Sequence, residues 1–256
     1  MEIDAYMSSI RATAADMVAA AKLVGLSADV PTCPEWRMRD LMVHTGVVHR
    51  HKAETVRGSY VAAPGPQPEG PDGDVLQWFN DGVGDMLDVF AEADLGAPTW
   101  TWCAHSHSAS WWVRRMAHET VIHAADAVIA AGGVPSVDPW LATDGVDEIL
   151  DEMMIGGRQW GTVTPKDRAV TLETEGRRWV LRMATFSGTS PDTGTTHTGL
   201  DTFVYGGSCA PDASVRIDPT TLDLWLWGRV ELPDDAVTGD RSLVRHIRTV
   251  AAAATS

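Results

Sequence analysis

The chain has 256 residues, 44% of them hydrophobic, enough for one large or two small cores. Its formal charge of −15 argues against binding nucleic-acid phosphates or anionic membranes, both of which need clustered Lys and Arg, and in favour of a small-molecule partner. No stretch reaches the ~18 apolar residues of a membrane span. Glu2 and Asp4 precede any basic residue, unlike a signal peptide, and Cys33, Cys103 and Cys209 lack any paired spacing, so a cytoplasmic protein with reduced thiols is expected.

The first helix is predicted over residues 4–25, where Tyr6, Ile10, Met17, Val18, Ala21 and Val24 form one stripe and Gly25 is placed to end it. Pro31 and Pro34 then impose an extended approach to Trp36, before a second helix from about Arg37 to Val56. Leu41, His44, Val48 and His51 follow the spacing of an inward face, which turns His44 to the core and leaves His49 off the stripe. Taken alone, His44 fits a hydrogen-bonded structural role as well as a ligand. The Pro- and Gly-rich run 64–73 reads as a surface loop. A third helix follows over 74–93, and the connection after it carries His105 and His107, read as solvated.

Chemistry concentrates in the fourth helical segment, WWVRRMAHETVIHAAD, from Trp111 to Asp126. It is apolar on more than one side, so the helix is expected to be buried. Glu119 and His123, four residues apart, project in nearly the same direction and can both reach one metal ion. A buried carboxylate needs a partner. Two readings stand open here: a metal site, or a structural ion pair with Arg115 four residues earlier.

Beyond Gly132 and Gly133 the pattern changes. One more helix is suggested by Trp140, Leu141, Ile149, Leu150 and Met153, then a hairpin of AVTLE and RRWVLRMAT turning at Glu175-Gly176. The Gly-, Thr- and Ser-rich run 187–202 reads as a mobile excursion containing His197. ASVRID forms a further strand, Asp218 and Pro219 open another helix, and SLVRHIRTVAAAA forms the last. The expected class is α+β: an N-terminal four-helix bundle over 1–155 followed by a smaller α+β domain over 156–256.

Two stretches resemble one family, the mycothiol-dependent maleylpyruvate isomerases of the DinB-like metalloenzyme group. CPEWRMRDLMVHTGVVHR is similar to its Cys-Pro-x-Trp and Arg-Asp-Leu-x-x-His pattern, and WWVRRMAHETVIHAAD to its Arg-Arg-x-x-His-Glu-x-x-x-His-x-x-Asp helix. LDLWLWGRVELPDDAVTGD is a weaker match to the end of the family's C-terminal domain. The resemblance implies a zinc ion bound by His44, Glu119 and His123, with His118 pointing elsewhere, and an open position where mycothiol is activated. Two departures stand out. Arg37 replaces the usual capping hydroxyl, and the 187–202 run is longer than the pattern needs, so the electrophile can differ from maleylpyruvate.

The functional expectation is a zinc enzyme that uses mycothiol for isomerisation or S-transfer on a small electrophile. A zinc hydrolase activating water is the alternative, although His118 and His123, five apart, do not make the HExxH spacing of metalloproteases. A non-catalytic small-molecule carrier is the third, resting on a likeness to sterol-carrier-type folds and on Trp225 and Trp227. Asp126, three residues after His123, is expected to support the site, against a plain surface or helix-pairing role. The resemblance also points to a C-terminal-domain arginine, best matched by Arg229, as a carboxylate anchor; the alternative pairs it with Glu231 or Asp235.

Overall fold

The structure is a computed structural model that describes residues 2–103, 106–155, 160–191, 193–206 and 210–255. The chain divides into two compact units, Met1–Ser136 and Val137–Ser256. Among the described residues no helix is long and apolar enough to cross a membrane.

The first unit holds four helices: α1 (Glu2–Val24), α2 (Met38–Arg57), α3 (Val75–Glu92) and α4 (Ala109–Ala130). α1 packs on α4, and α2 packs on both α3 and α4. The start and stop signals act as chemistry dictates. Gly25, at φ +83°, ends α1 by donating its N–H to Ala21 O at 2.9 Å, and Asp74 caps α3 by accepting from the N–H groups of Leu76 and Gln77, both at 3.0 Å. At the start of α2 no side-chain oxygen replaces the missing hydroxyl. Instead Asp40 accepts the Arg37 N–H at 2.8 Å, and the Arg37 guanidinium pairs with Asp29.

α4 is buried nearly all round, and Arg115, His118, Thr120, His123 and Asp126 are buried along with its apolar residues. Helical stripe reasoning misplaced one side chain of α2. His49 is fully buried, with its Nε2 2.9 Å from Thr120 Oγ1 of α4 and its ring 5.8 Å from Phe79 of α3. A single inward stripe does not describe a helix that touches two neighbours.

The second unit is α+β. It begins with α5 (Pro139–Glu148), capped by Asp138 and continued by a π-helical stretch, Ile149–Ile155. Strands β1 (Gly161–Thr174), β2 (Arg177–Thr189), β3 (Thr196–Tyr205), β4 (Ala213–Arg216) and β5 (Val237–Gly239) form one sheet in the order β3-β2-β1-β4-β5. β1 and β4 run parallel; the other pairs are antiparallel. Helices α6 (Pro219–Leu226) and α7 (Arg241–Ala254) bury Leu222, Leu226, Val244 and Ile247 in the core that includes Val170, Leu181, Phe203 and Val215 from the sheet.

The stretch 187–202 corrects the expected excursion. Residues 187–189 complete β2, and β3 begins at Thr196, paired with Thr189. Its threonines are β-branched and suit a strand as well as they suit a loop. Between Phe186 and Gly188 the register shifts, and Gly199, at φ +65°, donates its N–H to Ser187 Oγ at 2.9 Å; the glycine permits a bulge rather than ending the strand. Phe203 of β3 is 1% exposed. Phe203→Ala is therefore expected to destabilise the protein by about 3–5 kcal/mol, read from urea unfolding followed by far-ultraviolet circular dichroism. A loss under about 1 kcal/mol would mean that β3 does not anchor the core.

Candidate metal centre

α2 supplies His44, and α4 supplies Glu119 and His123 one turn apart. One donor atom from each lies within 4.8 Å of the others. His44 Nε2 and His123 Nε2 are each 3.4 Å from the same carboxylate oxygen, Glu119 Oε1. The two imidazoles meet edge to face, with ring centroids 5.1 Å apart. The other oxygen, Oε2, accepts a hydrogen bond from Arg115 Nη2. The Arg115 ion pair and the two imidazoles thus engage different oxygens of one carboxylate, so the pair does not exclude a metal.

Supporting contacts fix the orientation of the donors. His123 Nδ1 lies 2.9 Å from Oδ2 of the fully buried Asp126, so Nδ1–H donates there and Nε2 is aimed at Glu119. Cys33 Sγ, in the turn before α2, also donates to Asp126 Oδ2, at 3.9 Å. Backbone hydrogen bonds in that turn, Cys33 N–H to Val30 O at 2.9 Å and Trp36 N–H to Cys33 O at 2.8 Å, set Trp36 against the site. Its ring centroid is 4.7 Å from that of His44 and 6.0 Å from that of His123. The Cys-Pro-x-Trp segment therefore forms a wall beside the histidines and holds the carboxylate that orients one of them.

The electrostatics suit a cation. Burial alone would raise the Glu119 pKa, but Arg115, His123 and His44 outweigh it and hold the carboxyl well below its ordinary range. Burial alone would lower that of His123, but Asp126 and Glu119 raise it to about 9. In the metal-free state a proton on His123 therefore stands in for a cation. Two imidazoles and a carboxylate are the donor set of a borderline-soft divalent ion, and the second nitrogen of His123 has the carboxylate partner common to metal-bound histidines. These residues fit a metal.

The remaining predicted residues fall elsewhere. His118 is buried and meets Tyr6 edge to face at 6.1 Å, outside the donor cluster. His51 Nε2 lies 3.0 Å from Gly65 O, His107 Nδ1 lies 3.3 Å from Thr101 Oγ1, and His197 sits on β3. His105 and Cys209 lie outside the described residues. Arg229, in the second unit, donates from Nη1 to Trp227 O at 2.6 Å. Lys52 escaped sequence reasoning. Its ammonium lies 4.5 Å from the Trp112 ring and 2.9 Å from His51 Nδ1, and burial lowers its pKa to about 8.

Opposing shifts set a pH optimum for the metal-free protein. His123, raised from 6.5 to about 9, contributes stability that is present below 6.5 and lost as pH rises toward 9. His49, lowered by burial to about 3, must remain neutral, so its effect is lost as pH falls from 6.5 toward 3; Glu119 adds to that loss below about 4.5. Lys52 departs from this pattern only above about 8. Chelator-treated protein is expected to show its highest denaturant midpoint near pH 6.5 and lower midpoints at pH 5 and pH 8. A midpoint that rises steadily from 6.5 to 8 would contradict the protonated state of His123.

The sequence pattern described as "Mycothiol maleylpyruvate isomerase N-terminal domain" matches residues 7–128, and that described as "MDMPI C-terminal domain" matches residues 141–246. Two solved structures share the fold: a histidine-to-alanine mutant of the mycothiol-dependent maleylpyruvate isomerase, with TM-score 0.59 and 11% identity, and the unmutated isomerase, with TM-score 0.57 and 12% identity. In both comparisons 94% of each chain is covered. Among proteins with curated descriptions, none matches this sequence.

Proposed function

The chain belongs to the mycothiol maleylpyruvate isomerase family, and on that premise we propose that it is a cytoplasmic enzyme in which zinc and mycothiol carry out isomerisation or S-transfer on a small electrophile. The observation that supports this reading best is the convergence of His44 Nε2, His123 Nε2 and Glu119 Oε1, backed by Asp126 and Arg115. His44, Glu119 and His123 would hold a zinc ion, whose charge would lower the pKa of a thiol enough to give thiolate near neutral pH.

The chain's own residues then have defined tasks. Asp126 Oδ2 holds the Nδ1 proton of His123, which fixes the tautomer and makes Nε2 the donor. Arg115 keeps Glu119 ionised and turned so that Oε1 faces the two imidazoles. Trp36 shields one side of the histidine pair from water. A thiol bound there would supply a nucleophilic sulfur, recovered unchanged in an isomerisation and carried into the product in an S-transfer. Arg229 is assigned to a carboxylate of the electrophile, since a guanidinium offers two parallel hydrogen bonds. Nucleic acid and membrane have no part in this reading.

Protein purified without chelators should carry about one zinc ion per chain, and His123→Ala should lose it together with thiol-dependent turnover. A full-length chain that neither carries zinc nor takes it up would overturn the metal assignment. Turnover undiminished without mycothiol would replace thiol chemistry by hydrolysis. Two further variants separate support from binding: Asp126→Asn should keep zinc while activity falls roughly tenfold to a hundredfold, and Arg229→Lys should keep zinc and melting temperature while kcat/KM falls at least about tenfold. Zinc analysis beside steady-state kinetics distinguishes the two, and loss of metal in Asp126→Asn would make that residue a ligand.

A further inference from the structure

The second unit contains a cavity of about 420 Å³ whose walls include Arg241, Arg245 and Arg248 of α7. Offsets of four and three residues place these guanidiniums on one helix face. In a chain of charge −15, many arginines have a carboxylate partner: Arg57 has Asp85, Arg168 has Asp212 and Asp240, and Arg177 has Asp147. Arg241 has one too, with Nη1 2.9 Å from Asp234 Oδ1. Arg245 and Arg248 do not. Among the described residues neither side chain has an ion pair or hydrogen bond, and Arg248 Nη1 is buried with no acceptor.

Arg248 is also given room by the backbone. Gly228, at φ +73°, follows α6, and a β-carbon there would occupy the space of the Arg248 guanidinium. Burial and the neighbouring Arg229 push the Arg248 pKa down, while Glu231 opposes them. A buried guanidinium nitrogen without an acceptor, next to a second cation, is costly unless an anion joins it.

We propose that this cavity binds a small organic carboxylate, with its anionic end on Arg248 and Arg245 and its apolar body against Trp225, Leu232, Val237 and Val244. The lining selects a single negative charge. With Arg241 and Asp234 cancelling each other, two guanidiniums face one carboxylate, Glu231, leaving a net charge of +1. A carboxylate also matches the guanidinium fork, and the apolar wall gives the remainder of the molecule a dry surface. The assignment uses residues of the second unit only and stands independently of zinc or thiol.

Calorimetric titration of the full chain with benzoate tests it, with benzamide as the neutral isostere and inorganic phosphate as the bare anion. Benzoate is expected to bind saturably at one site, with benzamide and phosphate at least tenfold weaker. Arg248→Gln and Arg245→Gln should each weaken benzoate at least tenfold; Arg11→Gln, on α1, should leave it unchanged. His123→Ala should also bind benzoate normally. Should Arg248→Gln fail to fold, the exposed Arg245 carries the test alone. Absence of saturable binding, equal affinity for benzamide or phosphate, an undiminished affinity in Arg245→Gln, or an equal loss in Arg11→Gln would each overturn the proposal. Loss of binding in His123→Ala would move the carboxylate to the metal centre and overturn it as well.

Discussion

Glu119 has two carboxylate oxygens, and the first unit is arranged around keeping them different. Oε2 is held by Arg115 one turn back on the same helix, while Oε1 faces an imidazole from α2 and another from α4. The guanidinium and the two imidazoles together outweigh the burial that would otherwise favour the protonated carboxyl. The backing of His123 by Asp126, and of Asp126 by Cys33, extends the same constraint into the turn before α2. Helix positions, cap and turn are thereby tied to one charge.

Much of this was legible in the residues because helical spacing is a strong geometric rule. Glu119 and His123 share a face by their offset, and the cap signals at Asp218 and Pro219 act locally. His49 was misread for a tertiary reason. α2 packs against two helices, and the second contact buries a residue that the first would leave outside. Lys52 was invisible for a similar reason, since its aromatic neighbours come from elsewhere in the chain. The stretch 187–202 misled because Thr and Gly are equally at home in loops and at bulged strands. Only pairing with β2 decides between them, and pairing is not a property of the segment alone.

The two units use their cations in opposite ways. In the bundle, Arg115 is consumed by a protein carboxylate and sets the protonation of a donor cluster. On α7, Arg245 and Arg248 retain unused hydrogen-bonding capacity in a chain with acids to spare. Glycine makes the latter arrangement possible at Gly228, because any side chain would take the space that the guanidinium fills. A protein so acidic overall can still draw in an anion, provided the attraction is local and the surrounding wall is dry.

The bulge at Gly199 carries a consequence for how the molecule behaves in a crowded solution. Among the described residues β3 ends the sheet and has a strand partner on one side only, so its outward N–H and C=O groups form a ten-residue template for strand addition by another chain. The extra residue opposite Ser187 breaks the even repeat of that template, and Gly199 turns the strand locally. At the opposite end of the sheet β5 is only three residues long. Strand addition is thus disfavoured at one border by irregularity and at the other by brevity.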